Sequence, residues 1–158
     1  RGDESRWPTC VYRNGDEYCS IVMRIADLAV GQSLPARNHT PTHVSLFLYN
    51  AAVWNAHRIH YDESYTKNEE GHLDIVVDGP LQGDWLAQCV DNWLGENGVI
   101  DQFHYSNRQA TYLGETLVSG GRVLEVNELD KTAVLELWIK NAEGEITSPG
   151  GATVVLKD

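Results

Sequence analysis

Basic residues are scarce in this sequence: 12 Lys and Arg stand against 23 Asp and Glu in 158 residues, a formal net charge of -11. Nucleic acids and anionic membranes are bound by clustered Lys and Arg, so neither is an expected partner. Cysteine is sparse as well. Cys10, Cys19 and Cys89 are too few and too irregular for a secreted disulfide framework. Cys89 falls on an apolar helix face and reads as a small buried hydrophobe. Cys10 and Cys19 flank Asn14-Gly15, a hairpin-type turn, so a bridge between them is geometrically conceivable. No apolar run is long enough to span a bilayer, and no basic-then-apolar leader precedes the first elements. The sequence begins with Arg1 rather than Met. The expectation is a soluble cytoplasmic protein whose start is processed or truncated, with room for a lost organelle address. Gly-x-Ser-x-Gly, Gly-x-x-x-x-Gly-Lys and Gly-x-Gly-x-x-Gly are also missing, which removes the usual signatures of serine hydrolysis and nucleotide binding.

What is present fits one domain, since a chain of this length buries roughly two-thirds of its unfolded surface without metal or disulfide help. Residues 1–20 are polar and irregular and read as an N-terminal arm or hairpin; residues 21–158 form the domain. A short strand is expected over Cys19–Ile25, then a turn through Val30–Pro35 into a second extended piece. Pro41-Thr42 opens a helix through Val44, Phe47 and Leu48. The clearest period runs from Pro80 to Asn97, where Leu81, Trp85, Leu86, Cys89, Val90, Trp93 and Leu94 recur at three- and four-residue intervals, the mark of one long core-facing helix that Gly98 ends. The remainder reads as strands over Val99–Ser106, Thr116–Val126, Ala133–Lys140 and Ala152–Lys157. Their connections are too short for crossover helices, so the sheet is antiparallel. Gly120-Gly121 reads as a bulge, and Gly150-Gly151 as the turn into the last strand.

Chemistry concentrates in Asn55-Ala56-His57-Arg58-Ile59-His60-Tyr61-Asp62 and in Gly79-Pro80-Leu81 at the head of the long helix. His60 can move a proton near neutral pH, and the N–H groups opening a helix can hold negative charge on a carbonyl oxygen. With Leu46-Phe47-Leu48-Tyr49, Glu70-Gly71 and Ile75-Val76-Val77-Asp78, these segments resemble the MaoC-like hydratases and dehydratases. Within that family they look like the branch of 3-hydroxyacyl-thioester dehydratase type 2 and mesaconyl-CoA hydratase. The resemblance covers roughly Ile21 to Asp158. It implies an α+β hot-dog fold, a curled antiparallel sheet wrapped around one long central helix, and hydration of an enoyl thioester or the reverse dehydration.

On that resemblance His60 matches the catalytic histidine; Gly79, at the positive end of the long helix, is the expected oxyanion donor. The position five before His60 is Asn55, where an acidic residue is usual in the family and Asn fits the branch; its expected role is to orient water or substrate. Asp78 is a second departure, since an acid beside an enolate opposes the developing charge unless its side chain points away. His57, Arg58 and Tyr61 surround the base, and His57 and Arg58 can meet a carboxylate or the phosphates of coenzyme A. Tyr49 and Trp54 line an acyl pocket or pack in the core, and Leu81 lies at the same helix head. His57-x-x-His60-x-Asp62, with His39 and His43 nearby, offers the atoms of a metal triad, but short clusters of this kind are common and no metal is expected. The resemblance implies no cofactor beyond coenzyme A as part of the substrate; an acidic acyl carrier protein is repelled by the charge balance. It further implies a homodimer, or a heterodimer with a second hot-dog chain. The rival readings are a non-catalytic acyl-binding hot-dog subunit and a hot-dog thioesterase.

Overall fold

The computed structural model describes residues 23–157, together with the backbone of two strands, β1 (Thr9–Arg13) and β2 (Asp16–Ser20). These two pair antiparallel as a hairpin that sets Cys10 opposite Cys19 in register. The bridge considered between those cysteines lies outside the described side chains. Of the strand expected over Cys19–Ile25, Cys19 and Ser20 lie in β2, residues 21 and 22 fall outside the described residues, and Ile25–Asp27 forms a single 3-10 turn.

The main sheet has five strands in the order β3-β5-β6-β7-β4, all antiparallel. They are β3 (Arg37–His39), β4 (Gly98–Tyr105), β5 (Leu117–Asn127), β6 (Thr132–Lys140) and β7 (Ile146–Leu156). Alternation governs burial along β6, where Ala133, Leu135, Leu137 and Ile139 are buried and the residues between them only partly so. That inner face receives α3 (Gly79–Leu94), whose Leu86, Cys89, Val90 and Leu94 are all at most 2% exposed. Trp85 and Trp93 flank this stripe and are partly buried, so the apolar period of the sequence is the packed face of the helix. The Cys89 thiol lies against the Pro35 carbonyl, and burial pushes its pKa up. A 3-10 turn, Gly95–Asn97, ends α3 one turn before Gly98.

Two glycine readings need correction. Gly120 and Gly121 pair regularly with Trp138 and Leu137, and the irregularity of β5 falls between Val123 and Glu125. A Cβ on Gly121 would lie 2.6 Å from the Glu136 carbonyl oxygen, so the glycine permits close approach of backbone rather than a bulge. Gly150 and Gly151 lie inside β7, paired on one side with Leu137 and Glu136 and on the other with Tyr105 and His104. The final strand therefore begins at Ile146, earlier than expected.

The segment between β3 and α3 carries two helices, α1 (His43–Val53) and α2 (Glu63–Asn68), of which α2 had no clear sequence signal. Thr42 caps α1 through a reciprocal box with Ser45. The residues that suggested this helix, Val44, Phe47 and Leu48, are about two-thirds exposed, whereas Leu46 and Asn50 face inward. Leu46 joins Ile75 and Val77 in a second, smaller cluster against Leu81, Trp85 and Leu113.

Candidate active site at the head of the long helix

The loop after α1 is built by local polar contacts. Trp54 ends the helix in the left-handed region with φ of 55°, and the Asn55 N–H donates back to the Asn50 carbonyl. Asn55 then folds the chain over itself, its Oδ1 accepting from the His57 N–H at 3.1 Å. His57 caps the next turn, a 3-10 turn over Arg58–His60, by accepting from the Ile59 N–H. His60 closes that turn at 8% exposure.

The segment leading into α3 runs alongside. Val76 donates its N–H to the Ile59 carbonyl, and the His60 ring Nδ1 lies 2.8 Å from the Val76 carbonyl oxygen. A carbonyl only accepts, so Nδ1 carries the hydrogen and Nε2 is the basic nitrogen of the neutral ring. Two residues further on, Asp78 is completely buried. Its Oδ2 accepts from Asn50 Nδ2 and its Oδ1 from Asn55 Nδ2, both at 2.9 Å. The same Oδ1 lies 3.6 Å from His60 Nε2, an ion pair when the imidazole is protonated. The Asp78 side chain is thus turned toward Asn50, Asn55 and His60, and it does not line the cavity that Gly79 borders. Burying a carboxylate is costly unless its oxygens are satisfied, and the two asparagine amides supply the donors.

Gly79 follows Asp78 and begins α3, where unpaired N–H groups and the helix dipole favour negative charge. It lines a cavity of about 220 Å³ with Val76, Val77, Gln82, Asn107, Arg108, Gln109 and Ala110. His60 and Asn55 are not among the lining residues. A Cβ on Gly79 would meet the side-chain amide of Asn107. Asn107 is held through its Oδ1 by the Ser148 hydroxyl, which also lies 2.8 Å from Gln82 Oε1. Asn107 and Asn50 carried no signal as site residues in the sequence. Asp78 did carry one, an acid closing the apolar run Ile75-Val76-Val77 at a helix start.

The other predicted residues spread around this centre. The Arg58 guanidinium clasps Asp62 at 2.7 and 3.1 Å and stacks over the Tyr65 ring, and the Asp62 hydrogen bond holds it more firmly protonated. Tyr61 donates its hydroxyl to the Ala56 carbonyl. Tyr49, half-buried, donates to Asp84 Oδ2; burial first and that hydrogen bond second push its pKa up. Leu81 packs in the smaller cluster. Trp54 is 93% exposed, which rules out the core role. The residues of the considered metal triad are turned to other work. Asp62 caps α2 through the Tyr65 N–H, and His39 stacks on Trp85 with ring centroids 4.3 Å apart. Burial lowers the His39 pKa. Among the described residues no group of three such side chains gathers around one point.

A curled antiparallel sheet around one helix, with a histidine loop beside that helix's N-terminus, is the hot-dog architecture of MaoC-like proteins. An (R)-hydratase from A. caviae involved in PHA biosynthesis superimposes with a TM-score of 0.76 at 18% identity, over 83% of this chain and 98% of that one. The ChsH1-ChsH2 complex from Mycobacterium tuberculosis gives 0.73 at 19% identity, over 82% and 98%. The model of the hydroxyacyl-thioester dehydratase type 2 family matches residues 6–113, more than half of the sequence, and the chain belongs to that family. The mitochondrial hydroxyacyl-thioester dehydratase type 2 of Saccharomyces cerevisiae is 33% identical over 81 residues, 51% of this chain and 28% of that protein. The mesaconyl-C(4)-CoA hydratase of Chloroflexus aurantiacus is 56% identical over 36 residues, 23% of this chain and 13% of that protein. The matched segments thus span less than a third of these curated relatives.

Proposed function

We propose that this domain adds water across the double bond of an α,β-enoyl thioester, with coenzyme A as the carrier, or removes water from the 3-hydroxyacyl thioester. The observation that carries the reading is His60, whose Nδ1–H is pinned to Val76 so that Nε2 carries the ring's lone pair, set beside the Val76–Gly79 segment that opens α3. In hydration Nε2 takes a proton from water as the water oxygen bonds to Cβ. The π electrons move to the thioester oxygen, which the Gly79 N–H stabilises, and Nε2 then returns the proton to Cα. The addition is redox-neutral and uses no separate cofactor. Asn55 retains one amide hydrogen and one oxygen lone pair beyond its contacts to Asp78 and His57, and with these it orients the water. His57 and Arg58 face the phosphates or a substrate carboxylate, while Tyr61, Trp54, Tyr49 and Leu81 flank the acyl and thioester portions.

The relatives' names, a hydroxyacyl-thioester dehydratase and a mesaconyl-CoA hydratase, support this reaction class. The reading includes a second hot-dog chain, identical or different. Among the described strands β4 pairs with β7 alone and leaves an open edge, Val99 on it is 54% exposed, and the Gly79 cavity does not enclose His60 within one chain. Light scattering at micromolar concentration should give about twice the 17.7 kDa chain mass. No helix among the described residues is long and apolar enough to cross a membrane. Placement in the cytoplasm is part of the proposal, to be checked by fractionation because the yeast relative is named as mitochondrial.

An absorbance assay on crotonyl-CoA and on branched and dicarboxylic enoyl-CoAs tests the reaction, with free thiol measured in parallel. Loss of the enoyl absorbance without thiol release is the expected result. Thiol release would identify a thioesterase, and no turnover of any ester would identify an acyl-binding subunit.

A further inference from the structure

Position 55 is Asn, and the carboxylate beside the His60 ring comes from Asp78. We infer that Asp78 is the acidic partner of the histidine, holding the positive charge that His60 gains when Nε2 takes a proton, and that Asn50 and Asn55 hold Asp78 in place. The inference rests on the reading of His60 as the base. Three observations carry it. Asp78 Oδ1 faces the one ring nitrogen that can gain a proton, at 3.6 Å, because Nδ1 is committed to Val76. Asp78 has no exposed surface, so it acts through His60 rather than on the substrate and is a positioning residue. Finally, both asparagines spend an amide hydrogen on it at 2.9 Å, one on each oxygen. A buried acid with no partner would be a net cost; here it is held by two amides and aimed at a titratable ring.

Throughout the cycle Asp78 remains a carboxylate. The proton that His60 removes from water sits on Nε2 as an imidazolium and leaves to Cα, so charge balances within the His60–Asp78 pair without a proton on Asp78. Without the carboxylate, the same buried imidazolium keeps the Val76 carbonyl on Nδ1 but loses the negative charge beside Nε2.

The geometry supplies a relocation test, because the Asn55 amide and the Asp78 carboxylate meet in one hydrogen bond beside His60. In Asn55→Asp/Asp78→Asn the two groups exchange. The amide now at position 78 donates to the carboxylate at position 55 and accepts from Asn50, which leaves the hydrogen-bond pattern complete with the charge moved to the other end of that bond. Crotonyl-CoA hydration is measured for the parent, Asp78→Asn and the exchange variant, with melting temperatures alongside. Asp78→Asn should lower kcat by roughly 10²-fold with KM within threefold, since the carboxylate serves the proton transfer and not binding. The exchange variant should recover to within about tenfold of the parent. Asp78→Asn within threefold of the parent, or a loss confined to KM, would overturn the inference while leaving the hydratase reading intact. Should Asp78→Asn fail to fold, the exchange variant decides: a folded but inactive protein overturns the inference, and an active one supports it. A parent with no turnover on any enoyl-CoA overturns both readings.

Discussion

The two halves of this domain are held by different chemistry. Where α3 lies on β5, β6 and β7, burial is mainly apolar, with Gln82, Ser119, Thr147 and Ser148 as the buried polar groups: Leu86, Val90, Val123, Ile139 and Val154 have no exposed surface, and a repeated spacing puts them there. Between Thr42 and Asp78 the buried groups include Asn50, His60, Thr66 and Asp78, each held by specific hydrogen bonds, beside the small apolar cluster of Leu46, Ile75 and Val77, while Phe47, Leu48 and Trp54 face outward. The apolar half tolerates imprecision, since hydrophobic contact is not directional. The polar half does not, because a buried donor or acceptor left unpaired costs about 1–3 kcal/mol. Stability should therefore reside in the first half and activity in the second, a division that single substitutions can break.

His60→Ala or His60→Gln should produce the largest effect, a fall in hydration rate on the order of 10²–10⁴ with melting temperature and oligomeric state near the parent's. Activity within threefold of the parent would remove His60 from the chemistry and, with it, the division. Leu86→Ala is the mirror experiment. Leu86 is fully buried in the main core, so truncation should cost about 2–5 kcal/mol in denaturant unfolding. Rate per folded molecule at low temperature should hardly change. A core variant that keeps its stability but loses turnover would show that the sheet half feeds into the site.

The same division explains what the sequence disclosed. A period of 3.6 residues marked α3 and its buried face, and the burial along β6 repeats every two residues, because burial repeats with the geometry of the backbone. The site had no such period. His60, Asn55 and Gly79 were legible through the resemblance of their motifs, yet the direction of the Asp78 side chain depends on amides at positions 50 and 55, brought together by tertiary folding. α2 escaped notice for a related reason. Glu63–Asn68 is polar throughout and is started by Asp62 rather than by an apolar stripe, and only Thr66 in it is buried. In α1 the helix forms where Pro41-Thr42 placed it, and Val44, Phe47 and Leu48, through which it was traced, lie on its outer face.

Gly79→Ala sharpens the comparison at the seam between the halves. The methyl would meet the Asn107 amide, the far end of a side chain that can swing aside, so folding stability should change little. In the proposed reaction the thioester oxygen approaches the same backbone closely. Turnover should fall by roughly tenfold, less than deletion of an oxyanion donor would cause, because the N–H remains. Adding Asn107→Ala to this variant removes the side-chain obstacle but not the methyl, so activity should stay low. Full recovery in the double variant would assign the effect to Asn107 and take Gly79 out of the oxyanion role.

Thr42→Ala should have the smallest effect, and it tests whether the polar half is one unit. The Thr42 hydroxyl accepts from the Ser45 N–H at 3.1 Å while Ser45 Oγ accepts from the Thr42 N–H, so alanine deletes one side of the box and frees the first turn of α1 to fray. A cap of this kind is worth about 1 kcal/mol, or roughly 2–4 °C in melting temperature for a domain of this size. Asn50, which holds Asp78, lies two turns further along the same helix and is anchored by its own bond to the Leu46 carbonyl. Fraying confined to the first turn leaves that anchor in place, and hydration by the folded protein should stay within about twofold of the parent. A drop in rate well beyond the loss of stability would mean that α1 moves as a rigid lever on Asp78, and the local hydrogen bonds of the polar half would then have to be treated as one cooperative network.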